Sequence, residues 1–116
     1  MEDFGVGFFT KYGDGGVDLS PIADLNKTEV YSLAKELSIL QEIRNAPPTD
    51  GLWEDGRVDE DQLKATYAEL EWAMTYNKGT RLTSREKEVL EIYNKHRDAN
   101  IHKMLPIPVC TIRRTK

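Results

Sequence analysis

Residues 6–37, VGFFTKYGDGGVDLSPIADLNKTEVYSLAKEL, carry the densest structural signal in the chain. The run Val6 to Thr10 (VGFFT) is apolar, rich in strand formers and bounded by glycines, which predicts a buried strand. Gly13, Gly15 and Gly16 follow, so the backbone there turns sharply or approaches something closely. Leu19 to Leu25 is a proline-containing connection. Asn26 then caps a helix, with Glu29 at capping-box spacing. Val30, Tyr31, Leu33, Ala34 and Leu37 recur on one face of it. The helix should end near Ser38, with a shorter one around Leu40 to Arg44.

Downstream, residues 46–56 (APPTDGLWEDG) exclude regular helix, because Pro47 and Pro48 lack donors and Gly51 and Gly56 punctuate the segment. Asp59 to Asp61 suit the positive end of a second helix. Leu63, Tyr67, Leu70 and Met74 step along one face; Thr66 with Glu69 offers a later start after a break. Asn77, Lys78 and Gly79 stop it. Thr83 and Glu86 form a further capping box. Val89, Ile92, Tyr93 and His96 then line a third helix that runs to about Met104, and Pro106 and Pro108 enforce an extended tail. A single strand cannot form a sheet, since its backbone donors and acceptors need neighbours. The sheet is therefore expected to lie outside these residues.

The 116 residues are 39% apolar and 31% charged, with a net charge of −4. That fits one domain or part of one, with a modest core. No apolar run of about 18 residues exists, so no membrane span is expected. The acidic start lacks a secretory-signal pattern, and the lone Cys110 excludes an internal disulfide and a cysteine-only zinc cage. Mild acidity argues against a nucleic-acid footprint. The expectation is a soluble, intracellular globular unit, either whole or part of a larger one.

Several residues have chemical potential. If Asn26 caps the helix, Lys27 is its first residue, where a cation opposes the macrodipole. A helix start with open donors and a lysine suits an anion such as phosphate, although local pattern alone favours a solvated lysine. Lys11, Asp14 and Asp18 flank the glycine turn, either as a ligand-facing set or as a solvated loop. The turn is no P-loop, because no Gly-Lys-Ser/Thr follows, and no EF-hand. Thr49 follows two prolines, so its hydroxyl sits on a stiff loop; locally an ordinary turn explains it. His102 and Lys103 complement a helix end. His96 and His102, six apart, share no face for a metal.

Together, four stretches resemble the C-terminal part of the NAD⁺ synthetase family. They are GFFTKYGDGGVDLSPIADLNKTEVYSLAKEL (residues 7–37), APPTDGLW (46–53), VDEDQL (58–63) and IHKMLPIP (101–108), in the family's order and spacing. The resemblance implies an α/β fold: a C-terminal fragment of an adenine-nucleotide-hydrolase-like (Rossmann-like) domain. This part would be mostly helical, with one or two strands and about three helices. It implies ATP-dependent amidation of deamido-NAD⁺ with ammonia through an acyl-adenylate, with Mg²⁺ as cofactor and a homodimer as assembly. By position, Lys11, Asp18, His102 and Lys103 would contact deamido-NAD⁺, and Lys27 and Thr49 the ATP phosphates. The family's magnesium-binding glutamate is matched by Glu2 in residue type and by Asp3 in ungapped count. Lys64 stands where the family usually has glycine.

The family's Ser-Gly-Gly phosphate loop is absent from these residues. The expectation is therefore a C-terminal segment, spanning 1–116, that does not turn over alone. A different-class alternative is a non-catalytic helical interaction module, in which the amphipathic faces pair with a partner and Lys11 and Lys27 are surface charges.

Overall fold

The computed structural model describes residues 5–13, 15–49, 56, 58–77, 79 and 81–113. Five helices are assigned among them: α1 (Lys27–Glu36), α2 (Gln41–Asn45), α3 (Asp59–Leu63), α4 (Tyr67–Thr75) and α5 (Ser84–Met104).

All three expected capping boxes form. Asn26, Thr66 and Thr83 each accept from the backbone N–H three residues on, and Glu29, Glu69 and Glu86 each return a bond to the cap backbone. Each box satisfies helix-end donors that would otherwise need water. The acidic run 59–61 and the Thr66 box are not one helix start but two. Lys64, which caps α3, takes the left-handed conformation with φ +61° and breaks the path. A β-carbon is disfavoured there, so glycine would be the less strained residue at this position. Beyond α5, Leu105 turns to extended backbone (ψ 153°) ahead of Pro106.

The core is small. Val6, Leu63, Ala65 and Leu70 are buried together, with Phe8, Ile92 and Tyr93 packed on them. Tyr67, Ala73 and Val89 are also buried, where α4 meets α5. Each large apolar side chain fully withdrawn from water contributes about 1.5–3 kcal/mol. A bidentate ion pair joins the starts of these two helices: Arg85 Nε lies 2.7 Å from Glu69 Oε1 and Nη2 lies 2.8 Å from Oε2. Arg85 also reaches Glu88 Oε2 at 2.9 Å.

The expected strand at Val6 to Thr10 is not formed, and no strand occurs among the described residues. Gly5 and Val6 are helical, Gly7 turns with φ +68°, and residues 8–10 are irregular. The burial of Val6 was legible; the backbone form was not. With no neighbouring strand, the carbonyls of residues 5–7 take side-chain donors from α5 instead. Arg97 Nη1 reaches Gly5 O at 3.5 Å, Asn100 Nδ2 reaches Val6 O at 3.1 Å and Lys103 Nζ reaches Gly7 O at 2.8 Å.

The N-terminal half of the chain lies largely outside this core. No residue of α1 or α2 is buried. The apolar face of α1 is present but only partly covered: Val30 and Ala34 are half-buried, while Leu33 is 40% exposed and Leu37 65%. Leu40 and Ile43 continue that apolar surface through α2, and Ile107, Val109 and Ile112 are open in the tail. The accessible surface is 9405 Å², against roughly 6,450 Å² for a compact monomer of this size. The radius of gyration, 17.6 Å, likewise exceeds the ~13 Å of a closed domain of about 100 residues.

Candidate functional site

The glycine turn and the end of α5 lock onto each other. Within the turn, Thr10 O accepts from the Gly13 and Gly15 N–H groups, both at 3.1 Å. A β-carbon on Gly15 would lie 2.6 Å from Lys11 O, so the turn closes only with glycine there. The folded turn presents Lys11, whose Nζ donates to His102 O at 2.6 Å and Leu105 O at 2.8 Å. These are carbonyls at the negative end of α5, where a cation is favoured. In return, Lys103 of α5 caps the turn at Gly7. Gly7 admits no side chain, since its β-carbon would meet Asn100 Cβ at 2.2 Å.

Three expected site residues, Lys11, His102 and Lys103, are thus brought together from opposite ends of the chain. His102 is exposed, and Lys11 and Lys103 are half-buried. An ammonium has three donors, so the two carbonyls on Lys11 leave one for an anion. Asp18 is exposed on the irregular segment beyond the turn. Arg97 and Asn100, which complete the lock, were not singled out from sequence. Their spacing of three from each other and from Lys103 was a visible signal, but no pattern identifies backbone carbonyls as the partner.

Lys27 stands on a different element, at the first turn of α1, with Nζ 4.7 Å from the centre of the Tyr67 ring. The helix start beside it is not the open anion site that local reading suggests. The Thr28 N–H is taken by Glu71 Oε1 at 2.9 Å and the Glu29 N–H by Asn26 Oδ1 at 2.9 Å. A phosphate there would meet the Lys27 side chain rather than these two amides. Thr49 is exposed at the end of an irregular segment, next to Pro48, whose carbonyl accepts from Asp59 N at 3.1 Å. A concavity of about 410 Å³ opens between α1 and α2, lined by Thr28, Tyr31, Ser32, Lys35, Arg44 and Asn45; it contains none of the expected site residues.

Glu2 lies outside the described residues. Among the described residues no three His, Cys, Asp or Glu side chains gather as metal ligands. No helix among them is long and apolar enough to cross a membrane. The Arg85 guanidinium, with the Thr66 backbone, holds the Glu69 carboxyl down to about 2, and Glu69 with Glu88 raises Arg85 above its ordinary range. Hydrogen bonds from Thr83 lower Glu86 in the same sense. These shifts belong to helix starts and to the α4–α5 junction.

A model of the family described as NAD synthase matches residues 2–106. The NH(3)-dependent NAD(+) synthetase of Archaeoglobus fulgidus is 40% identical over 110 residues, covering 93% of this chain and 42% of that protein. Its counterpart in Alkaliphilus metalliredigens is 42% identical over 86 residues, covering 74% and 33%. The counterpart in Methanococcoides burtonii is 55% identical over 62 residues, covering 53% and 23%. The solved NMN synthetase of Francisella tularensis superposes with a TM-score of 0.79 at 30% identity, over 96% of this chain and 44% of that one. The chain thus spans well under half the length of the relatives it matches.

Proposed function

The chain belongs to the NAD synthase family, and on that premise we propose that it supplies the C-terminal share of an ammonia-dependent NAD⁺ synthetase site. In that reaction the nicotinate carboxylate of deamido-NAD⁺ attacks the α-phosphate of ATP, pyrophosphate leaves, and ammonia then displaces AMP from the acyl-adenylate. Magnesium, when bound, offsets charge on the triphosphate. The substrates are all anionic apart from ammonia, so the task of this chain's residues is positioning and charge compensation.

The observation that carries the proposal is the Lys11–His102–Lys103 corner. Residues 91 apart in sequence are joined by a 2.6 Å hydrogen bond from the Lys11 ammonium to the His102 carbonyl, so the loop that carries Lys11 is held against the helix end that carries His102 and Lys103. We assign this corner, with Asp18, to deamido-NAD⁺, and Lys27 and Thr49 to ATP phosphates. The remaining wall, including the phosphate loop, a Rossmann-like sheet and the magnesium ligands other than Glu2, comes from outside these 116 residues. The uncovered apolar surface of α1 and α2 supports that division. The whole assembly is read as a cytoplasmic homodimer.

The test is complementation. A polypeptide carrying the family's Ser-Gly-Gly half, mixed with this chain, is expected to release AMP only when ATP, ammonia and deamido-NAD⁺ are all present. Lys27→Ala and Lys11→Ala should each lower the rate at least tenfold, the first through ATP and the second through deamido-NAD⁺. The exposed faces of α1 and α2 also favour a second reading, a helical interaction module. In that case complementation yields no AMP, and both lysine variants are neutral while Leu37→Asp abolishes association.

A further inference from the structure

The first turn of α1 is held by α4 at two points. Glu71 accepts from the Thr28 N–H at 2.9 Å, and the Thr28 hydroxyl lies 2.8 Å from each of its carboxylate oxygens. Four residues earlier on α4, the Tyr67 ring faces the Lys27 ammonium at 4.7 Å. A spacing of four places Tyr67 and Glu71 on one face of α4, one above the other. They meet consecutive residues of α1, and one of those is the candidate phosphate ligand. No α1 side chain is fully buried and only Val30 and Ala34 of its apolar face are half-buried, so the polar contacts weigh heavily in its placement on α4. The carboxylate also has the sign that suits a helix start, whereas Lys27 has the wrong one.

We propose that Glu71 is a positioning residue for Lys27, with Tyr67 as the second half of the seat; the functional value of that seat rests on the assignment of Lys27 to ATP phosphate. Glu71 pins the helix start through Thr28. The Lys27 stem then runs across the Tyr67 ring, which narrows the rotamers its ammonium samples before a phosphate arrives.

The test reads the lysine directly in the full chain. The Tyr67 ring current displaces the ε-methylene signal of Lys27, and Tyr67→Leu supplies the undisplaced position. In Glu71→Ala that displacement should fall by more than about half and the Thr28 amide should exchange roughly tenfold faster, as expected for loss of a charge-assisted bond. The Leu63 and Leu70 methyl signals should stay in place. In Glu71→Gln, which keeps one acceptor oxygen, a smaller displacement and faster Thr28 exchange are expected even if the alanine variant unfolds. Wild-type values for both in Glu71→Gln and Glu71→Ala overturn the proposal. Titration with inorganic tripolyphosphate adds a sign test. Deleting a carboxylate near an anion-binding lysine tightens the anion by charge alone. Binding weakened about tenfold in Glu71→Ala therefore identifies positioning, and tighter binding contradicts it. If wild-type Lys27 ignores tripolyphosphate while its displacement still depends on Glu71, the phosphate assignment fails and the positioning stands.

Discussion

Helices α1 and α4 are nearly equal in length, begin with the same type of capping box and carry apolar residues at helical spacing, yet they end in opposite surroundings. α4 buries Tyr67, Leu70 and Ala73 against its neighbours, while α1 buries nothing and leaves Leu37 65% exposed. Caps and periodicity specify that a helix forms and which side of it is apolar. They do not specify what covers that side. For α4 the cover is α5, after an eight-residue connection; α1 is joined to α4 through Glu71 and the Tyr67 ring and leaves most of its apolar face open.

Substitutions can break that contrast. Leu70→Ala removes a fully buried side chain and should cost about 2–5 kcal/mol, read as a lower denaturant midpoint. Leu37→Ala on the exposed face should change the midpoint by less than about 0.5 kcal/mol; a cost like that of Leu70 would mean that α1 is packed after all. Gly7→Ala comes next, because it adds a carbon 2.2 Å from Asn100 Cβ at a residue with φ +68°. Loss of about 1–3 kcal/mol is expected, with release of the Lys103 and Lys11 caps visible as faster exchange at the end of α5.

Lys64→Gly should sharpen the contrast in the other direction. It relieves a left-handed residue at φ +61° and should stabilise the core by about 1 kcal/mol. A smaller effect attaches to the junction of α4 and α5. Glu69 is lowered from 4.5 to about 2 in the folded chain. A depressed carboxyl adds stability above its unfolded value and loses it as pH falls toward its folded one. The midpoint should therefore drop between pH 5 and pH 2, by about 1 kcal/mol or less because both partners are partly in water. Arg85→Leu should flatten that part of the pH profile.

How legible each part was follows from where its partners sit in sequence. The boxes at Asn26, Thr66 and Thr83 have their partner three residues on, so they could be read directly. The αL position at Lys64 has no signal in its local pattern, because lysine is not a residue type that marks a left-handed turn. The strand assigned to VGFFT failed because composition identifies a buried segment but not its hydrogen-bond partners. Those proved to be Arg97, Asn100 and Lys103 on a helix more than ninety residues away. The site behaves in the same way. Lys11 and Lys103 were visible locally as a turn cation and a helix-end cation, and their expected role toward deamido-NAD⁺ came from family resemblance. The closure of the α1 start by Glu71 depends on a contact spanning 43 residues that no local pattern announces.

Helices α1 and α2 await a covering surface of the kind that α4 already has in α5. Amide exchange across residues 30–43, measured with and without the complementing polypeptide, tests it most directly. Protection should rise at least tenfold at those residues when the complement is added, with little change in α4 and α5. Equal exchange in both states, or protection confined to α4 and α5, would contradict the claim.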